Sequence, residues 1–214
     1  MGRSRAFLEG IRFAAGVASD PSGVPAFWKA ATGGKAVGCL PVRPVPELLH
    51  AANLLPILFE SPEDLSLLSG QVDAWVVVGD PPPFPIPPGG APRFSFSDVP
   101  PGGVEEALDR VEALAEWAGA VSGFPVSEGG LWKSIRAHSA LREILEAFDE
   151  RFIRETAFLT PEECRNIVRA GAFLPPEAHS RLLSSILGVD PRLPSIPAEG
   201  ERGDPLLLLA RRLM

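Results

Sequence analysis

The chain is poor in the residues that carry redox and metal chemistry. Its 214 residues include two cysteines, Cys39 and Cys164, and three histidines. The cysteines stand far apart and form neither a Cys-x-x-Cys pair nor a zinc pattern. A reduced, cytoplasmic setting is the simplest expectation. Positive charge is also thin: Lys+Arg total 20 against 27 for Asp+Glu, the net charge is −7 and the pI is about 5.1. No Lys/Arg block occurs, which argues against a nucleic-acid partner. No apolar run approaches the ~20 residues of a membrane span. Glu9 and Arg12 interrupt the stretch after Arg3 and Arg5, which argues against a signal peptide. The sequence has no Ser-His-Asp spacing, no P-loop, no Gly-x-Gly-x-x-Gly and no internal repeat.

What is present is apolar and punctuated. Apolar residues make up 45% of the chain, enough for a sizeable core. Its 24 prolines and 21 glycines are clustered rather than periodic, which predicts rigid loops and not a collagen-like repeat. The centre of the chain is Lys35–Glu60. Ala36–Leu40 is a short apolar run ended by Pro41. Pro46 suits the first turn of a helix, where its missing N–H does no harm. Leu48, Leu49, Ala51 and Ala52 give that helix an apolar side, and Leu55–Phe59 is a second run of strand length. Two buried strands joined by a helix should be parallel. Asp73–Val78 predicts a third, central strand, and Arg93–Ser97 a fourth with more alternation. Residues 79–92 are too rich in proline for helix or strand and predict a polyproline-like loop over the strand ends.

Helices are expected on both sides of this core. Residues 5–18 form an amphipathic pattern through Phe7, Leu8, Ile11, Ala14 and Ala15. Val24–Ala31, with Phe27 and Trp28, suits a helix that caps one side of the sheet. Ser61-Pro62-Glu63-Asp64 reads as an N-cap, a first-turn proline and first-turn acids, with Gly70 closing the helix. Val104–Ser122 is the clearest helix and Gly123 stops it. Ser127 caps the next, whose stripe is Leu131, Ile135, His138, Leu141, Leu145, Phe148 and Phe152. Thr160-Pro161-Glu162-Glu163 is a capping box opening a helix to Gly171. Pro175-Pro176-Glu177 opens another, through Leu187 to Gly188. Residues 189–205 read as a linker or extended loop. Leu206–Leu209 suits either a strand or a turn of helix.

The central stretch carries a resemblance. Gly38-x-x-Pro41, Val45-Pro46-Glu47-Leu48-Leu49 and Ala51-Ala52, with Pro56 following, resemble the opening motif of the 2-hydroxyacyl-CoA dehydratase / benzoyl-CoA reductase family. That family has a Gly-containing strand, then Val-Pro-Glu-Glu-Leu/Ile, then Ala-Ala-Gly and a proline. Leu48 stands where the family has its second Glu, and Asn53 where it has Gly. Gly123–Glu128 with Leu131, Ile135 and Arg142 is similar to a later family segment, in which Ser139 falls on the Asn position. Asp98-Val99-Pro100 and Thr160–Leu187 resemble two further regions, so the likeness spans residues 35–188.

The resemblance implies two Rossmann-like lobes, a four-iron four-sulfur cluster held by cysteines, an acyl-CoA thioester as substrate and a separate ATP-dependent activator. This chain departs from it. The interval between the second and third strands has no cysteine. Gly79-Asp80 replaces the family's Cys-Asp, and the sequence stops about where a second lobe would begin. Two cysteines cannot supply three thiolates. The expectation is therefore no cofactor on the isolated chain, with a cluster only if a partner shares in holding it.

The expected fold is α/β: a Rossmann/flavodoxin-like parallel sheet of about four strands flanked by helices, with a C-terminal helical appendage. Segments 1–34 (helix and lead-in), 35–122 (α/β lobe), 123–188 (helical appendage) and 189–214 (tail) are its expected divisions. Glu47 and His50, at i and i+3 on one helix face, are candidates for acid/base work or substrate contact. Helix-dipole duty is the plainer role for Glu47. Cys39, placed just past a strand, is a candidate ligand or nucleophile, or else a small core residue. Asp80 is a candidate at a ligand edge, or else a turn residue. Cys164 reads as a buried structural thiol, His138 as a core or interface histidine, and His179 as a solvated helix residue. Trp28, Trp75, Trp117 and Trp132 read as core or interface packing. Three functions compete. The first is a non-catalytic partner or regulatory subunit with acyl-CoA as a candidate ligand. The second is a working subunit of an iron–sulfur acyl-CoA dehydratase or reductase completed by another chain. The third is a generic flavodoxin-like binding module. A protein partner or self-association is expected.

Overall fold

The computed structural model describes residues 4–79, 81–86, 89–155, 158–190 and 203–214. These fall into two compact units. The α/β unit takes the described residues of 25–134 and 196–214, and the helical unit those of 1–24 and 135–195.

The α/β unit is built on β1 (Lys35–Leu40), β2 (Leu54–Leu58), β3 (Ala74–Val78) and β4 (Arg93–Phe96), in the spatial order β2-β1-β3-β4. Every neighbouring pair is parallel. This is a Rossmann/flavodoxin-like sheet, and its order matches the first four strands of the flavodoxin-like pattern. Continuous apolar runs made β1 readable as a buried strand and β3 as a central one, and both are buried almost throughout. Gly38 is required by packing: a Cβ there would overlap the Trp75 ring and press on Phe59. The Phe59 and Trp75 rings lie 5.0 Å apart.

Three crossovers connect the strands, and two are helical. Helix α3 (Pro46–Ala51) joins β1 to β2, and α4 (Pro62–Leu68) with a 3-10 turn at Ser69–Gln71 joins β2 to β3. Ser61 and Asp64 form a reciprocal capping box on α4, so two otherwise orphaned N–H groups are satisfied. The 3-10 turn carries Gly70, so α4 stops two residues before the glycine expected to close it. Parallel neighbours usually need a helix between them. Here β3 and β4 are joined by 79–92, whose described residues hold neither helix nor strand.

α2 (Gly23–Thr32) is tied to the amino-terminal edge of the sheet. Lys29 Nζ donates to Gln71 O at 2.8 Å and pairs with Asp73 at 3.0 Å, while Asp73 Oδ2 accepts from the Ala36 N–H at 2.8 Å. α5 (Val104–Ser122) ends at Gly123, whose φ of 80° is the left-handed cap glycine takes readily. The last segment is helical: α9 (Pro205–Arg212), N-capped by Asp204, packs along α5. Most of the expected 189–205 linker lies outside the described residues.

The helical unit comprises α1 (Arg5–Ser19), the part of α6 (Glu128–Arg154) from Ile135 onward, α7 (Pro161–Gly171) and α8 (Pro176–Leu187). α1 packs on α7 and α8. A Cβ at Gly10 would stand 2.8 Å from Ser185 Oγ, so α1 and α8 meet at a small residue. Arg169 Nε donates to Ala18 O at 2.9 Å, satisfying a carbonyl at the end of α1. His179, expected on a solvated face, is buried. Gly171 makes this possible, because any side chain there would collide with the imidazole. Phe152, expected on the apolar stripe of α6, is exposed.

Candidate functional site

In an open α/β sheet the crevice outside the carboxyl ends of the strands, where the order reverses, is the place a ligand finds. Here the reversal lies between β1 and β3. Its walls begin with 41–45 after β1 and Gly79 after β3.

The first wall is stiff and strained. Pro41, Pro44 and Pro46 restrict φ. Val45 nevertheless adopts φ 45° and ψ 58°, a left-handed conformation that a β-branched residue before proline strongly disfavours. Between these prolines sits Arg43, half-buried. Burial pulls its guanidinium pKa below the usual value, while the Cys39 thiol and the Glu60 carboxylate act in the opposite direction. Glu60 follows β2, so Arg43 lies over the carboxyl end of the sheet. Arg43 was not among the residues singled out from the sequence. The available signal was a lone cation framed by prolines directly after a strand. On the other wall, Asp98 Oδ2 would stand 3.4 Å from a Cβ at Gly79.

The predicted residues do not converge on one reaction centre. Glu47, in the first turn of α3, is 5% exposed, and its Oε1 accepts from Arg212 Nη1 of α9 at 2.6 Å. Its carboxylate therefore anchors the last turn of a helix that is 165 residues away in sequence. His50 Nδ1 lies 3.0 Å from Ser134 Oγ, and its ring lies 5.7 Å from that of Trp28. A Ser–His contact can serve acyl transfer only if the hydroxyl meets substrate. Ser134 is 2% exposed, so this contact ties α3 to the start of α6. Asp80 lies outside the described residues.

Cys39 is inside β1 and not past its end: it is in register with Leu58 on one side and Val76 on the other. It is fully buried, and loss of solvation pushes its thiol up to about 12. A thiol in that state is a poor nucleophile and a poor ligand, since both roles need the thiolate. Cys164 is on α7, in the helical unit, and is half-buried instead of buried; its neighbour Ile167 is in the core while Val168 is exposed. A four-iron cluster takes four thiolates, so the donor set of this chain does not fit one. No group of three or more His, Cys, Asp or Glu side chains able to hold a metal occurs among the described residues. No described helix is long and apolar enough to cross a membrane.

Two of the departures from the resemblance, at Asn53 and Leu48, have local explanations. Asn53, in the place of the family's Gly, has φ 58°. Asparagine is the residue after glycine that best tolerates that region. Leu48, in the place of the second Glu, is fully buried beneath α3. The four tryptophans belong to the α/β unit. Trp75 and Trp132 are buried, Trp28 Nε1 donates to Asn53 O at 3.4 Å, and Trp117 packs 5.5 Å from Phe94.

No protein-family model matches the chain, and no curated protein matches it.

Proposed function

We propose that the chain is a cluster-ligand-poor member of the 2-hydroxyacyl-CoA dehydratase / benzoyl-CoA reductase family. It works as a non-catalytic partner or regulatory subunit, with an acyl-CoA as candidate ligand at the carboxyl end of the sheet. Support comes from the local demands of the motif. Its first glycine lies under an aromatic ring, its Pro-Glu opens the crossover helix between two parallel strands, and the position of its second glycine, held here by Asn53, has a positive φ. The observation that carries the non-catalytic reading is Cys39. The one thiol in the motif is sealed in a strand with its proton held to about pH 12.

The test is anaerobic purification with iron and acid-labile sulfide analysis, followed by titration with acetyl-CoA and benzoyl-CoA. The expected result is iron far below stoichiometric and a saturable response to an acyl-CoA. Stoichiometric iron on the isolated chain, or no response to either thioester, overturns the reading. The strand order favours a second reading, a generic flavodoxin-like binding module. Saturable FMN binding with no response to acyl-CoA would select it.

A further inference from the structure

Among the described residues, β4 is the last strand on one side of the sheet. The Trp75 N–H donates to Pro92 O at 2.9 Å, and the Gly79 N–H donates to Phe96 O at 2.9 Å. In a parallel ladder alternate residues turn toward the neighbour. The register with β3 therefore directs the backbone groups of Phe94 and Phe96 inward and those of Arg93, Ser95 and Ser97 outward. Among the described residues no strand pairs beyond β4, and no backbone hydrogen bond reaches those outward groups. Arg93 and Ser95 are exposed. A row of unpaired N–H and C=O groups is a template for another strand. Shortness is its main protection here. Pro92 uses its carbonyl toward β3, and the Arg93 side chain leaves from a face of the sheet, not along its edge.

The sequence of this edge indicates what fills it. Arg93-Phe94-Ser95-Phe96-Ser97 is nearly palindromic about Ser95. Two copies set antiparallel with Ser95 on the two-fold axis place Ser95 opposite Ser95 as a hydrogen-bonded pair, and Arg93 opposite Ser97. Each such pair exchanges two backbone bonds. Phe94 of one copy then faces Phe96 of the other, a favourable cross-strand aromatic pair, on the side where Trp117 already covers Phe94. The two Arg93 side chains fall at opposite ends of the pairing, so no like charges meet. We propose that β4 is the self-association edge of this chain, across which a second copy pairs antiparallel about Ser95 to join two four-stranded sheets into one. The contact is isologous and closes at two copies. It stands or falls apart from the acyl-CoA reading.

Sedimentation equilibrium on the full chain tests it. Wild-type protein should be a dimer. Ser95→Asp and Ser95→Lys each set like charges against each other on the axis, and each should raise the dimer Kd at least about ten-fold. An equimolar mixture of the two variants should regain the dimer. Ser95→Pro removes an outward N–H without touching the β3 ladder, and should give monomers with the wild-type circular dichroism. If that variant unfolds, the charge pair alone decides. A wild-type monomer at every concentration, dimers unaffected by Asp and Lys, or a mixture that stays monomeric would overturn the proposal.

Discussion

Replacing Arg212 by methionine tests whether α9 is held by charge. The substitution keeps most of the apolar stem and removes the guanidinium that Glu47 Oε1 meets at 2.6 Å. Two limits bracket the effect. Breaking a buried ion pair by removing one partner costs about 3–5 kcal/mol, because the other charge stays where water cannot reach it. Fully exposed pairs are worth about 0.2–1 kcal/mol. Here the Glu47 side chain is 7% exposed but that of Arg212 is 34% exposed, so solvent screens one end. A loss of about 2 kcal/mol is expected, which for a chain of this size lowers Tm by roughly 4–8 °C. All four tryptophans lie in the α/β unit, so their fluorescence follows that unit's unfolding in urea separately from the helical unit. A double-mutant cycle with Glu47→Gln should return a coupling of at least about 1 kcal/mol, as for residues in direct contact. A loss below about 0.5 kcal/mol with no coupling would refute the claim that Glu47 is an anchor.

Further substitutions follow at three single positions. Asn53→Gly should leave stability within about 0.5 kcal/mol, whereas Asn53→Val should cost about 1–2 kcal/mol, because φ 58° is open to glycine and closed to a β-branched residue; thermal melts by tryptophan fluorescence compare them. Gly38→Ala should cost about 1–3 kcal/mol by overpacking and shift the emission of Trp75, the ring its methyl would strike; an unchanged spectrum and Tm would show that the strand is looser than drawn. The Cys39 pKa is raised to about 12, so native protein holds the proton while the unfolded chain loses it near pH 9. This contribution is whole below pH 9 and is lost as pH rises toward 12, with a slope of about 1.4 kcal/mol per pH unit. Between pH 8 and pH 10.5 wild type should therefore lose about 2 kcal/mol more than Cys39→Ala in urea unfolding; equal losses would place the thiol in contact with water.

The elements that could be read from the sequence are those settled within one turn of chain. Ser61-Pro62 and Thr160-Pro161 opened helices as expected, because a capping box is closed by residues three positions apart. β1 and β3 were readable because a strand covered on both faces has no polar position to confuse it. The misplaced residues are those whose surroundings come from elsewhere. For Cys39, Pro41 marks an end of β1 without fixing how closely the strand approaches it, and the register with β2 and β3 takes pairing through Cys39. For His179, its own helix offers no reason for burial, and the reason lies at Gly171 on the preceding helix.

The candidate site follows the same rule more sharply. From α3 alone, Glu47 is a first-turn carboxylate suited to the helix dipole, and also to chemistry. Nothing within its neighbourhood in sequence separates those roles. The separation comes when α9 returns with Arg212, and it assigns the carboxylate to holding the fold. Arg43 shows the converse. It has the composition of an ordinary loop cation, and only the strand order reveals that the loop stands at the sheet's reversal, where strain at Val45 and a half-buried guanidinium fall within three residues of each other. Long-range topology therefore settles the roles of two charges that local pattern leaves open, tying Glu47 to Arg212 and placing Arg43 at the sheet's reversal. Ligand binding in the α/β unit should accordingly respond more to Arg43→Gln than to Glu47→Gln, and stability should respond in the opposite order.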